Sequence, residues 1–150
     1  MKRIILSITI SFLCLISLGQ STKQVKWTFT SKKIADKTYE VHMTANINGQ
    51  WHLYAQDAGE GPLSTTFNFT KNPLLQVDGK VKEIGKMKKV FEQTFNSEVR
   101  FYEKSVNFIQ VVKVRGNAKT NLSGKVEFMV CDDKLCLPPG EVEFSVNVGD

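Results

Sequence analysis

The sequence predicts an all-β domain built as an antiparallel sandwich, and three observations predict it. Apolar residues recur at every second position in segment after segment. Turn-forming residues separate those segments, and no window carries the 3.6-residue period of a helix. The clearest segment is "TYEVHMTANI" (38–47), in which Tyr39, Val41, Met43, Ala45 and Ile47 alternate with Glu40, His42, Thr44 and Asn46. Successive side chains of a strand point to opposite faces, so this pattern describes a strand buried on one side only.

The chain opens on Lys2 and Arg3, followed by an uncharged apolar run from Ile4 to Leu18 and then by Gly19, Gln20 and Ser21. A basic start, a short apolar core and small or polar residues after it predict a secretory signal peptide over 1–20, cleaved near Gly19 or Gln20. The run is shorter than the ~20 residues a membrane span requires. Cys14 follows the bulky Phe12 and Leu13 and reads as one more apolar residue of the leader rather than a lipid attachment site. The expected mature domain, 21–150, is long enough for one hydrophobic core. Losing Lys2 and Arg3 lowers the formal charge from +5 to +3, too mild a balance to argue for a nucleic-acid partner. It holds no second stretch of membrane-spanning length, so a soluble periplasmic or secreted protein is expected.

Strands are predicted, in order, at "VKWTFT" (25–30), at 38–47, and at "WHLYA" (51–55), "STTFNFT" (64–70), "SVNFIQVVKV" (105–114), "GKVEFMVC" (124–131) and "EVEFSVNV" (141–148). Turn signals stand between them at Asn48-Gly49, Gly59 to Pro62, Asn72-Pro73, Asp78-Gly79, Gly116-Asn117 and Ser123-Gly124. "KVKEIGKMKK" (80–89), with five lysines in ten residues, reads as a solvated edge strand that its charges protect from aggregation. Seven to nine short strands in one domain point to a sandwich of immunoglobulin type. The likeness is architectural, because no pair of distant cysteines brackets a Trp.

"VCDDKLCLPPGE" (130–141) holds the two cysteines of the mature chain, and three roles are open to them. As a staple the pair closes a loop of about six residues, worth roughly 2 kcal/mol against nearly 5 for a 100-residue loop. A metal clip would enlist His42 and His52, but these stand alone where zinc ligands come in paired spacings. Thiol–disulfide exchange needs an attacking thiolate, a resolving cysteine and access for a partner. Asp132 and Asp133 oppose a thiolate and only Lys134 favours one, with no helix N-terminus to help. Strand parity sets Val126, Phe128 and Val130 on one face and Glu127, Met129 and Cys131 on the other. With the first face in the core, Cys131 is expected to point outward, within a partner's reach. Pro138 and Pro139 lack N–H donors and are expected to interrupt sheet pairing just after Cys136. No Ser/His/Asp arrangement, phosphate-cradling Gly loop or carboxylate pair stands out, and no cofactor is expected.

The segment "CDDKLCLPPGE" (131–141) resembles the periplasmic N-terminal domain of the thiol:disulfide interchange protein DsbD family: a strand running into Cys, a short polar loop, a second Cys, one apolar residue, two prolines and a final strand. "NGQWHLYA" (48–55) is similar to an aromatic strand of that domain, and "QTFNSEVRFYEKSV" (93–106) to its cap-loop region. The resemblance implies an immunoglobulin-like fold with a cap loop over the cysteine pair. It implies a component of protein-disulfide reduction, taking electrons from a thioredoxin-like protein or membrane electron-transfer protein and passing them to oxidised periplasmic proteins. Cys136 would form the mixed disulfides and Cys131 resolve them, with Phe95 as the cap aromatic and Tyr54 lining the site. Neither metal nor cofactor is implied. Four residues separate the cysteines where the best-known members have five, and Gln93-Thr94 stand where acidic residues are expected. With no electron channel or thioredoxin-like domain in the sequence, the donor is expected to be another polypeptide. The competing reading is an immunoglobulin-like interaction module whose Cys131–Cys136 bridge is purely structural.

Overall fold

The computed structural model describes residues 20–149. The leader expected over 1–20 lies outside the described residues apart from Gln20. A short helix α1 (Gln20–Gln24) is followed by nine strands: β1 (Val25–Ala35), β2 (Thr38–Ile47), β3 (His52–Gly59), β4 (Thr66–Phe69), β5 (Leu75–Glu92), β6 (Ser97–Val114), β7 (Thr120–Phe128), β8 (Val130–Cys131) and β9 (Gly140–Val148). The helix was not expected from sequence, since five residues make under two turns and leave no periodicity to read. Among the described residues no helix is long and apolar enough to cross a membrane.

All pairings are antiparallel and form two sheets, as expected for an immunoglobulin-like sandwich. One runs β1-β2-β6-β3-β8 with β5 along the other edge of β6, and the second runs β4-β7-β9. The predicted alternation of β2 holds residue by residue, with Tyr39, Val41, Met43, Ala45 and Ile47 buried. These pack with Phe108 of β6 against Val126, Phe128, Phe144 and Val146 of the second sheet, and Trp27 lies half-buried against the same core.

The spine is β6, which pairs β2 through Ser105–Lys113 and β3 through Val99–Glu103, with β5 beside it for its full length. Only its second half was legible in sequence. In the first half Val99 and Phe101 are buried on one face and Tyr102 on the other, which erases the alternation that marks a half-buried strand. Strand β3, expected over 51–55 and found over His52–Gly59, is likewise covered on both faces, with His52, Leu53, Tyr54 and Ala55 all buried.

Two predicted turns are corrected. Asp78-Gly79 lies inside β5, where the register against β6 jumps between Asp78 and Lys82 and Gly79 takes φ 72°; the glycine serves a bulge rather than a hairpin. Ser123-Gly124 lies inside β7, and a Cβ on Gly124 would stand 2.4 Å from the carbonyl oxygen of Asn68. That glycine is needed for the close approach of β4. The lysine-rich segment belongs to β5, which is the exposed edge expected of it, with Lys88 paired to Glu103 (2.7 Å) and Lys89 to Glu98 (2.6 Å).

Candidate functional site

Strand β8 consists of two residues, and its pairing with β3 sets Leu53 opposite Val130 and His52 opposite Cys131. Cross-strand partners share a face, so parity divides the side chains cleanly. Leu53, Tyr102 and Val130 enter the main core, while His52, Tyr54, Phe101 and Cys131 lie on the reverse of the same sheet. Cys131 therefore does point away from the main core, as parity requires. The expectation that it is open to a partner is corrected, because it is 0% exposed. It sits in a second apolar cluster with Tyr54, Ala58, Val99 and Phe101, against which Phe95, Met129 and Cys136 also pack. Parity reports the face a side chain occupies and is silent on what distant parts of the chain pack against it.

Cys131 and Cys136 are joined as a disulfide with their Cα atoms 4.0 Å apart. The loop between them is a tight reversal. The Asp132 carboxylate accepts hydrogen bonds from the N–H groups of Lys134 (2.8 Å) and Leu135 (2.9 Å), and the Asp132 N–H donates to the Leu135 carbonyl (3.0 Å). These donors hold the Asp132 carboxyl below the usual range. After Cys136 the Leu137 N–H donates to the Val130 carbonyl (3.0 Å). The next two residues, Pro138 and Pro139, have no N–H to continue the ladder. The Pro138 carbonyl instead accepts a hydrogen bond from the Ser21 hydroxyl of α1. Cys136 is half-exposed, and Leu135 at the loop tip is 51% exposed.

Against the apolar cluster that holds Cys131 lies the tip of the β5–β6 hairpin. Residues 93–96 turn with Asn96 at φ 51°, and Phe95 is set down edge-on against Tyr54, ring centroids 6.1 Å apart at 81°. Gly61, at φ 107°, lies beneath the other side of Phe95; a Cβ there would come within 2.6 Å of the phenyl ring. The Ser97 hydroxyl donates to the Glu60 carbonyl and fastens the hairpin to the same bend.

A polar chain joins this cluster. The Tyr54 hydroxyl donates to Glu92 Oε2 (2.9 Å), and His52 Nε2 lies 3.3 Å from the Tyr54 oxygen. The His52 ring lies against Phe101, tilted by 31° with centroids 4.2 Å apart. Burial, reinforced by the neighbouring Glu92 carboxylate, raises the Tyr54 pKa far above that of a free phenol, so the hydroxyl keeps its proton. Burial lowers the His52 pKa, against the opposing pull of Glu92, Glu103, Asp133 and Asp132.

All four residues singled out from sequence, Cys131, Cys136, Phe95 and Tyr54, thus meet in one cluster. Sequence reasoning missed Glu92, which brings a carboxylate to the hairpin tip one residue before Gln93-Thr94, and it weighed His52 as a metal ligand without seeing its place beside Cys131. Nothing local marks either: both acquire their partners through pairings made 38 and 79 positions away in the chain, to Tyr54 and Cys131 respectively. His42 lies elsewhere, on the outer face of β2, bonded to Asn107 (2.9 Å) and close to Glu40 (3.4 Å). Among the described residues no three of His, Cys, Asp and Glu gather as metal ligands would.

A two-sheet antiparallel domain with a disulfide on the outer face of one sheet, set in an apolar cluster that a hairpin tip joins, defines the class. Within that class the chain belongs to the family of the N-terminal domain of the thiol:disulfide interchange protein DsbD, whose family model matches residues 20–147. Two solved structures share its fold. The DsbD N-terminal domain of Neisseria meningitidis, in the reduced form, is 15% identical, with a TM-score of 0.58 over 87% of this chain and 90% of that one. The N-terminal periplasmic domain of ScsB from Proteus mirabilis is 18% identical, with a TM-score of 0.53 over 83% of this chain. The match spans 45% of that ScsB structure, under half its length. No curated protein sequence matches the chain.

Proposed function

We propose that this chain is a thiol–disulfide exchange module of the periplasm or another secreted compartment, working through transient mixed disulfides. Electrons arrive from a thioredoxin-like partner and leave to oxidised proteins. Cys136 is the sulfur that partners attack and Cys131 the one that resolves. The observation that carries this reading is the asymmetry of the pair: across one disulfide, Cys131 is wholly buried while Cys136 is only partly buried, and we read Phe95 of the same cluster as its lid. Exchange proceeds through attack on an accessible sulfur, and here only one of the two meets that condition. Family membership supports the same chemistry. A purely structural bridge has no use for a lid, and the six-residue loop it closes is a weak staple.

Trapping tests the assignment. The Cys131→Ala variant retains the attackable sulfur and loses the resolving one, so its Cys136 thiol should displace thionitrobenzoate from, and accumulate a mixed disulfide with, a thioredoxin-like protein whose own resolving cysteine has been removed and whose remaining cysteine carries a thionitrobenzoate disulfide. Cys136→Ala should accumulate none. Failure of Cys131→Ala to hold any such adduct would sink the electron-transfer role.

A further inference from the structure

We propose that His52 accepts the proton of the Cys131 thiol when Cys131 closes the disulfide onto Cys136. The inference rests on the exchange reading above and assigns the base that reading requires. Resolution needs a thiolate at Cys131, yet this residue is 0% exposed and packs among the apolar side chains of Ala58, Val99 and Phe101. In the loop that follows it, Asp132 and Asp133 oppose ionisation and Lys134 alone favours it. A neutral base close by answers the difficulty.

His52 is placed to be that base. It is the direct cross-strand partner of Cys131 in the β3–β8 pairing, a relation that brings Cβ atoms within about 4.5–5.5 Å on a shared face. Its tautomer follows from the polar chain. Tyr54 commits its hydroxyl proton to Glu92, so the tyrosine oxygen is left to accept from His52 Nε2–H. That order of donors assigns the imidazole lone pair to Nδ1, the nitrogen free to take a proton. Burial keeps the ring neutral before transfer. The groups that face it are Tyr54 from its own strand, Glu92 from β5, Glu103 from β6, and Asp132 and Asp133 from the cysteine loop; the four carboxylates stabilise the imidazolium that transfer creates.

The step balances as follows. With Cys136 bonded to the sulfur of a substrate protein disulfide, the Cys131 S–H proton passes to His52. The Cys131 thiolate attacks Cys136 Sγ, the Cys131–Cys136 bond forms and the bond to the substrate sulfur breaks. That sulfur departs with the electron pair and takes up the proton from His52 as a thiol. The dithiol is thereby oxidised and the substrate disulfide reduced.

The probe is an aromatic disulfide, dithiobis(nitrobenzoate), mixed in stopped flow with the reduced protein. One equivalent of thionitrobenzoate reports mixed-disulfide formation and the second reports ring closure by Cys131. In His52→Phe, which keeps a ring on Phe101 without a base, the ratio of second-phase to first-phase rate at pH 7 should fall at least about tenfold. His52→Gln, which keeps a hydrogen-bonding group and lacks a base, should fall likewise. The wild-type second phase should lose rate on acidification with a limb that both variants lack. Unchanged ratios in the folded variants, or a wild-type profile with no such limb, overturn the role of His52 alone. Absence of the second equivalent from wild type overturns the exchange reading and the proposal with it.

Discussion

Removing the ring of Phe95 should open the site by an amount that follows from its packing. Phe95 is half-buried, held between Tyr54 and Gly61. Burying a whole phenyl ring is worth about 1.5–3 kcal/mol, so half-burial contributes about 1. The edge-to-face contact with Tyr54 adds about 1 kcal/mol, giving the closed cap roughly 2 kcal/mol that Phe95→Ala removes. At 1.4 kcal/mol per decade this multiplies the open population by about 30. The assay is alkylation of reduced Cys136 by iodoacetamide in a Cys131→Ala background, so that one thiol alone reacts. The rate should rise by about 30-fold, or less where the cap is already open part of the time. A rate within twofold of the parent, in protein whose circular dichroism is unchanged, would refute the lid.

Three further outcomes are expected. Glu92→Ala should act in the same direction, roughly tenfold in alkylation rate, since it deletes a hydrogen bond to a charged group worth about 1.5 kcal/mol. Because burial lowers the His52 pKa, the unfolded chain binds the proton more readily than the folded one. The stability this confers is complete above the unfolded value of 6.5 and is lost as the pH falls from there through the folded value; His52→Phe should flatten that part of a urea-midpoint profile. Gly124→Ala should cost about 1–3 kcal/mol in urea unfolding, because its Cβ would stand 2.4 Å from the Asn68 carbonyl oxygen; an unchanged midpoint would contradict that contact.

The parts of the fold that were legible in sequence are those where one face of a strand is wet. Strand β2 could be read in full because Glu40, His42 and Thr44 keep some exposure while their neighbours are buried. Where both faces are covered, as at Val99–Tyr102, the period-two signal vanishes and the first half of β6 went unread; at β3, also covered on both faces, residues 51–55 were read as a strand and its extension to Gly59 was not. The middle of β5 was read as an exposed edge from its lysines, while its two ends were not, because an edge strand interrupted by the bulge at Gly79 has little apolar pattern to show. At the site, the cysteine pair and its prolines form a local motif and were visible, and the resemblance pointed to Phe95 and Tyr54. Glu92 and His52 owe their places to the long β5–β6 hairpin and to the two-residue β8, pairings that no local pattern encodes. Cys131, correctly turned from the main core, is nonetheless buried because Tyr54, Ala58, Val99 and Phe101 gather around it from distant parts of the chain.

The central claim is that the Cys131–Cys136 disulfide is made to be exchanged. Its reduction potential, measured by equilibration with thioredoxin and glutathione buffers, tests this most directly. An exchanging pair should equilibrate at a value above about −300 mV, within reach of a thioredoxin-like donor near −270 mV. A value well below about −300 mV, with no exchange on incubation with thioredoxin, would mark the bridge as structural and contradict the account.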